Sequence, residues 1–357
     1  MARTFPAAAV LALALPVAAL SGCTGEETPR AAAEAAATAR ASDASGDTTA
    51  VSLEESFERT IRRALPSVVE IRTGSGLGSG VIWDDEGNIV TNAHVVGTAQ
   101  TFEVQLARRA GTVPARLVGT YPPDDLAVIR VERTGDLQPA TFGDSAAADV
   151  GDIVLAMGNP LGLSASVTNG IISATGRVVS EPAGEGSPGT VLPDAIQTSA
   201  DINPGNSGGA LVNLKSEVIG IPTLAALSPG GTGPAPGIGF AVSSARVKLI
   251  APQLIRDGRV TDSGRAALGV GVTTVVDGEG RPAGVGVVSV TPGGPAATAG
   301  LRPGDVITEV AGQPTPEASA LATVLAGQRV DTPVDVGVIR DGEERTIRVT
   351  LGDLQSS

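Results

Sequence analysis

From residue 68 to residue 242 the sequence keeps returning to one pattern: a short run rich in Val, Ile and Leu, separated from the next by more polar or Gly- and Pro-containing sequence. Runs this short and this rich in β-branched side chains suit pleated strands better than helices. They fall at 68–71, 81–83, 89–91, 102–106, 115–118 and 126–131, and again at 153–157, 167–173, 195–198, 210–213, 217–221 and 239–242. Aromatics make up 2% of the chain, so the cores must be aliphatic, and 47 glycines supply the turns. The stretch Gly74-Ser75-Gly76-Leu77-Gly78-Ser79-Gly80 reads as a glycine-rich turn between the first two strands, and Asp84-Asp85-Glu86-Gly87-Asn88 reads as a hairpin loop. The expectation is a mainly β protein.

A few counts narrow the chemistry. A chain of 357 residues accommodates two folded domains plus tails. A net charge of −13 with no basic segment excludes nucleic acid as a partner. One cysteine forbids an intramolecular disulfide, and one histidine leaves most zinc sites without ligands, so no metal or other cofactor is expected. Any mechanism that needs a histidine has one candidate, His94.

The N-terminus reads as a targeting segment. Arg3 precedes an apolar run over 7–20, too short for a comfortable membrane span. The run ends in Leu20-Ser21-Gly22-Cys23, which resembles the bacterial lipobox and implies cleavage after residue 22, lipidation of Cys23 and a membrane-held protein outside the cytoplasm. A plain signal peptide with an incidental cysteine is the alternative. Residues 23–51 carry almost no large apolar side chains and read as a disordered tether.

Structured sequence begins at Ser52-Leu53-Glu54-Glu55, which has capping-box spacing. Leu53, Phe57, Ile61 and Leu65 then mark one face of a short helix that Pro66 stops. Beyond it, three stretches carry polar groups that could do chemistry. Thr91-Asn92-Ala93-His94-Val95-Val96 puts the histidine at a strand end. Asp124-Asp125-Leu126-Ala127-Val128-Ile129 leads carboxylates into an apolar strand, where burial is costly unless they are paired. A solvated turn suits at least one of the two. Asp201-Ile202-Asn203-Pro204-Gly205-Asn206-Ser207-Gly208-Gly209-Ala210-Leu211 crowds glycines around a serine. Each has a bland reading: a structural histidine, a solvated acidic pair, a glycine-rich hairpin. Together they supply a base, an orienting carboxylate and a nucleophile, the set that serine needs to attack a carbonyl.

These three stretches, with Ala156-Met157-Gly158-Asn159-Pro160-Leu161-Gly162 and Val167-Thr168-Asn169-Gly170-Ile171-Ile172-Ser173 between the last two, resemble the motifs of the HtrA (Deg) family of trypsin-like serine proteases, over about residues 54–352. The resemblance implies two six-stranded antiparallel β-barrels of the chymotrypsin type over 52–258. It also implies a catalytic triad of His94, Asp125 and Ser207, and an oxyanion hole from the N–H groups of Gly205 and Ser207. Asp125 rather than Asp124 takes the role because the family's aspartate directly precedes the apolar strand. Loops over 180–193 and 222–238 correspond to segments that switch between inactive and active arrangements in the family, and their composition suggests mobility. Asp201 occupies the position that can floor the S1 pocket. A buried carboxylate there favours Lys or Arg at P1, whereas an apolar pocket shaped by Ile202 and Leu224 favours small aliphatic side chains.

Residues 243–258 read as a helix with Val247, Ile250 and Leu254 on one face and Pro252 kinking it, and 260–264 as a linker. From 265 to 354 the chain resembles an HtrA-type PDZ domain, with Ala267, Leu268, Gly269 and Val270 as its carboxylate-binding loop and a helix over 315–325 as a groove wall. A C-terminal peptide would add to the strand edge at 268–272. Gly293-Gly294-Pro295 lacks the lysine of a phosphate-binding loop, so ATP is not implied. The expected protein is an ATP-independent endopeptidase that degrades misfolded or damaged exported proteins at the cell envelope. The resemblance also implies a homotrimer. The competing class is a non-proteolytic chaperone or peptide-binding adaptor on a protease scaffold; a secreted degradative trypsin fits poorly with absent disulfides and a PDZ domain.

Overall fold

A computed structural model describes residues 51–354, apart from 75, 108, 110, 136, 160–165, 182–189, 204 and 228–233. The targeting segment, Cys23 and the tether up to residue 50 lie outside the described residues, as does part of the 156–162 motif.

Residues 51–64 are helical (α1) and pass through a 3-10 turn at Leu65–Ser67 into the first strand. Phe57, Ile61 and Leu65 pack on the core, whereas Leu53 is exposed. The first barrel comprises β1 (Val68–Arg72), β2 (Leu77–Ile82), β3 (Asn88–Thr91), β4 (Thr101–Gln105), β5 (Thr112–Tyr121) and β6 (Leu126–Val131), with the one-turn helix α2 (Ala93–Val96) after β3. It closes in the order β1-β2-β3-β6-β5-β4. Alternate residues such as Val69, Ile71, Ile89 and Ile129 fill its interior, and the opposite face of the same strands, with Val68, Val81, Val90 and Val128, packs on the second barrel and α1. The expected turn at 74–80 is half strand, since β2 begins at Leu77. Its glycines answer to neighbours across the sheet. A Cβ on Gly80 would lie 2.6 Å from Ile89, and one on Gly78 would lie 2.6 Å from Val95.

The second barrel comprises β7 (Ile153–Gly158), β8 (Ser166–Glu181), β9 (Thr190–Thr198), β10 (Ala210–Asn213), β11 (Val218–Leu227) and β12 (Pro234–Ser243), closed as β10-β11-β12-β9-β8-β7. The strands continue well into the stretches read as long loops: β8 and β9 into 180–193, β11 and β12 into 222–238. Pairing across β8–β9 and β11–β12 extends them beyond what apolar patterning marks. Helix α3 (Ser244–Asp257) starts on the Ser243 cap, ends at Gly258 in the left-handed region and buries Val247, Ile250 and Leu254.

The C-terminal domain comprises β13 (Ala266–Ala267), β14 (Val270–Val276), β15 (Pro282–Val290), α4 (Pro295–Ala299), β16 (Val306–Val310), β17 (Gln313–Pro314), α5 (Ala318–Ala326), β18 (Pro333–Arg340), β19 (Glu343–Thr350) and β20 (Gly352–Asp353). Its main sheet runs β14-β15-β16-β18-β19, so β14 is an edge strand, and β13 pairs with β20. Helix α5 starts at Ala318 rather than at Thr315, because Gln313–Pro314 pairs with β16 and the Pro316 carbonyl accepts from Gly284 N–H. Among the described residues no helix is long and apolar enough to cross a membrane.

Candidate active site

His94 does not sit on the strand itself. β3 ends at Thr91, Asn92 caps α2, and His94 is the second residue of that single turn. The turn is held against the loop before β6: Ala93 N–H and Asn92 Nδ2 both donate to the Asp125 carbonyl, at 3.0 Å each. Asp125 itself follows a 3-10 turn at Pro122–Asp124 and has φ 51° and ψ 39°, a left-handed conformation that aspartate tolerates better than most residues. Its carboxylate grips the histidine at two points. Oδ1 accepts from the His94 backbone N–H at 2.9 Å, and Oδ2 lies 2.8 Å from Nδ1. Asp125 is buried, while the His94 side chain stays 45% exposed. Such an arrangement fixes one ring nitrogen and presents the other to a substrate.

Thr223, on β11, joins this pair to the serine. Its hydroxyl donates to Asp125 Oδ2, and its carbonyl oxygen lies 3.5 Å from Ser207 Oγ. The sequence reading placed Thr223 in a loop and gave it no role. The contact that gives it one spans 98 positions.

Ser207 is half-buried in a turn between Ile202 and β10. Asn206 organises that turn. Its Oδ1 accepts from Asn203 N–H, its Nδ2 donates to the Asp201 carbonyl, its N–H donates to the Asn203 carbonyl and its own carbonyl accepts from Gly209 N–H. Gly208 has φ 79°, and a Cβ there would fall 2.3 Å from the Ser79 carbonyl oxygen, so no other residue fits without displacing β2. Among the described residues the N–H groups of Gly205 and Ser207 have no acceptor. Two donors left over beside the serine, in a turn that Asn206 otherwise pins, are what an oxyanion would use.

Of the S1 candidates, Asp201 is exposed and Ile202 is 5% exposed. The Asp201 carboxylate is therefore not the buried charge that a basic P1 side chain would need. Leu224 lies on β11 opposite Phe240, and its side chain, like Pro204, lies outside the described residues.

The neighbour of the orienting aspartate corrects another expectation. Asp124 is fully buried, not solvated. Arg246 of α3 donates to its Oδ2 through Nε at 2.8 Å and also through Nη2, and Arg265 Nη1 donates to its Oδ1 at 2.9 Å. Arg265 Nη1 also donates to the Pro123 carbonyl, and Arg246 Nη1 to Ser263. Tyr121, completely buried beside this cluster, donates to the Leu354 carbonyl, and burial pushes its phenol up to about 12. The loop that presents Asp125 and the end of β5 before it are thus bonded directly to Arg265, just ahead of β13, and to Leu354, just after β20.

In that domain a cavity of about 1120 Å³ runs between β14 and α5. Leu268 and Leu321 are buried within its lining, Gly269 opens its loop with φ 72°, and Ala267 and Val270 flank it. Tyr121, Pro122 and Pro123, just ahead of the two aspartates, also line the cavity. Among the described residues no cluster of three or more His, Cys, Asp or Glu could hold a metal.

Comparison with known proteins agrees with this architecture. Residues 78–221 match the trypsin-like peptidase domain and residues 266–351 the PDZ domain. The serine endoprotease DegS of Escherichia coli is 38% identical over 319 residues, which cover 83% of this chain and 85% of DegS. The chain belongs to the HtrA/Deg family of trypsin-like serine proteases. It is a serine endopeptidase with one PDZ domain. Serine protease PepD of Mycobacterium tuberculosis is 39% identical over 315 residues, 83% of this chain but 66% of PepD. Periplasmic serine endoprotease DegP of Escherichia coli is 40% identical, and the match spans 56% of DegP. Among solved structures, the serine endoprotease from Yersinia pestis is 36% identical with a TM-score of 0.55, covering 84% of this chain and 98% of its own. The HtrA-type protease AlgW with a decapeptide is 32% identical with a TM-score of 0.56, covering 84% and 99%.

Proposed function

We propose that this HtrA-family chain cleaves misfolded or damaged exported proteins at the cell envelope without ATP, and that it reads C-terminal peptides through its PDZ groove. Ser207 Oγ attacks the scissile carbonyl carbon and passes its proton to His94 Nε2, while Asp125 holds Nδ1 and stabilises the imidazolium. The N–H groups of Gly205 and Ser207 take the oxyanion. Collapse breaks the C–N bond, and the leaving amine takes the proton from His94. Water then repeats the sequence on the acyl-enzyme, which frees the carboxylate product and restores Ser207. The observation that carries this reading is the two-point grip of Asp125 on His94, joined to Ser207 through Thr223.

The exposed Asp201 and buried Ile202 favour small aliphatic P1 residues over basic ones. The edge strand β14, the Ala267–Val270 loop and α5 form a groove suited to strand addition by a peptide. The reading takes 52–258 as the protease domain and 265–354 as the PDZ domain. It assigns a signal peptide to 1–22 and a lipid anchor on Cys23, with a tether between, and takes the chain as a homotrimer. That one relative, DegP, is named a periplasmic serine endoprotease supports this location.

Fluorophosphonate labelling of the full chain, followed by casein proteolysis with and without C-terminal peptides, tests the reading. Labelling lost in Ser207→Ala, and cleavage raised by peptide, are expected. Absence of labelling under every peptide condition would leave a peptide-binding adaptor. Unchanged membrane fractionation of Cys23→Ser would remove the lipid anchor.

A further inference from the structure

Ser79 lies on β2 of the first barrel, within the glycine-rich stretch that the functional reading leaves without a role, and it is completely buried. Its backbone N–H donates to the Ser207 carbonyl at 3.1 Å, and its carbonyl accepts from Thr91 Oγ1 at 2.6 Å. Its hydroxyl donates to the Gly205 carbonyl at 2.5 Å and accepts from Asn159 N–H at 2.9 Å. One residue therefore holds both carbonyls that flank Asn206, from the opposite barrel and 126 positions away. A hydroxyl carries a single proton. Because Asn159 N–H occupies a lone pair, that proton points at Gly205 and is not free to rotate elsewhere.

The consequence follows from the polar groups of Gly205-Asn206-Ser207. Ser79 holds the Gly205 and Ser207 carbonyls, Asn203 accepts the Asn206 N–H, and Gly209 donates to the Asn206 carbonyl. Among the described residues, the N–H groups that remain are those of Gly205 and Ser207. Gly205 has φ 126°, and a glycine has little intrinsic preference to hold one conformation, so something outside the turn must set it. The packing is tight enough to transmit that setting: a Cβ on Gly158 would lie 2.2 Å from the Gly205 carbonyl oxygen.

We infer that Ser79 is a positioning residue for the oxyanion hole: its hydroxyl fixes the Gly205 carbonyl and thereby aims the Gly205 N–H at the developing oxyanion. The inference rests on the acyl-transfer reading of Ser207. Its weight falls on the transition state, since the donor matters only once the carbonyl oxygen gains charge. Loss of a whole oxyanion donor costs about 10²–10³ in kcat, and loosening one should cost about tenfold or more.

The test compares full-length wild type with Ser79→Ala on a fluorogenic peptide and a peptidyl aldehyde, whose tetrahedral adduct loads the oxyanion hole. The expected result is a fall in kcat of about tenfold or more with KM within about twofold, and a matching fall in aldehyde affinity. Unchanged kcat, or a loss confined to KM, overturns the assignment, as does a kcat loss with aldehyde affinity intact. Should Ser79→Ala fail to fold, Ser79→Cys keeps the volume with a weaker donor and should show the same pattern in smaller measure. Failure of both to fold means that the hydroxyl holds the fold and not the oxyanion hole, and wild-type kinetics in Ser79→Cys overturn the assignment too. If wild type neither cleaves the peptide nor takes up a fluorophosphonate, the acyl-transfer reading fails and Ser79 falls with it. If wild type does both and Ser79→Ala matches it, Ser79 alone is wrong.

Discussion

Asp124 and Asp125 are adjacent, buried and ionisable, yet they face opposite tasks. The left-handed backbone at Asp125 turns the two carboxylates apart. Asp125 points into the cleft, where its partners are a histidine, a backbone N–H and the Thr223 hydroxyl. Asp124 points behind the cleft, where its partners are two guanidiniums whose side chains are 11% and 9% exposed. The difference lies in whether the partner can change charge. Arginine stays protonated throughout the working range, so the Asp124 cluster is a fixed electrostatic tie. In the proposed mechanism His94 gains and loses a proton during turnover, so the Asp125 site would respond to each step. One loop thus couples a reactive carboxylate to a static one, and the static one reaches the C-terminal domain through Arg265.

Replacing each aspartate by its amide should separate the two roles. Asp125→Asn keeps the shape but removes the charge that stabilises the imidazolium. We expect kcat to fall by about 10⁴ while the denaturant midpoint moves little. Asp124→Asn leaves two buried guanidiniums without a full counter-charge and should cost about 3–5 kcal/mol of stability, read as a lower urea midpoint, with kcat changed less than about tenfold. If Asp124→Asn abolished activity in a stably folded protein, the two sides would be one functional unit and the comparison would break.

The sequence made one side of this loop far more legible than the other. Strand-length Val and Ile runs announced the strands, the family resemblance implied their closure into two barrels, and the motifs around His94, Asp125 and Ser207 marked residues that the fold brings to one cleft. Their signals are local. The partners of Asp124 are 122 and 141 positions away, on α3 and just ahead of β13, and nothing in Asp124-Asp125-Leu126 distinguishes a buried tie from a solvated turn. Leu77-Gly78-Ser79-Gly80 failed for a related reason. Glycines in a strand look like turn residues until the Ile89 and Val95 side chains that need their space are in view. Thr223 was hidden because strand pairing, rather than its own composition, carries β11 past Pro222.

Thr223→Val sharpens the cleft side of the comparison on a smaller scale. It removes a hydroxyl that donates to Asp125 and leaves the backbone carbonyl beside Ser207 in place. A hydrogen bond to a charged group is worth about 1.5–3 kcal/mol, so kcat should fall by about ten- to a hundredfold. Thr223→Ser keeps the hydroxyl and should recover most of the loss. Steady-state kinetics of the pair decide it, and equal rates in both variants would mean that the hydroxyl does not position Asp125.

The smallest effect concerns a third carboxylate, in the C-terminal domain, which tests whether arginine-held aspartates behave alike wherever they sit. Asp305 is 1% exposed, and Arg340 reaches it through Nε at 2.6 Å and Nη2 at 2.7 Å, while Arg302 N–H donates to it at 2.8 Å. The Arg340 hydrogen bonds hold its pKa below the ordinary carboxylate value, against the opposing effect of burial. With the folded pKa below the unfolded value of about 3.9, the folded state binds fewer protons in that interval. The stabilising contribution is therefore complete above about pH 3.9 and is lost as pH falls through the folded value. Asp305→Asn should be less stable than wild type at pH 7, and the gap should narrow as pH drops below about 4. Denaturant titrations of both proteins at several pH values measure this directly, because carboxylates common to the two cancel in the difference. A gap that stays constant into acid would show that Arg340 holds Asp305 by packing alone, and that the arginine tie is electrostatic only where both partners are as deeply buried as at Asp124.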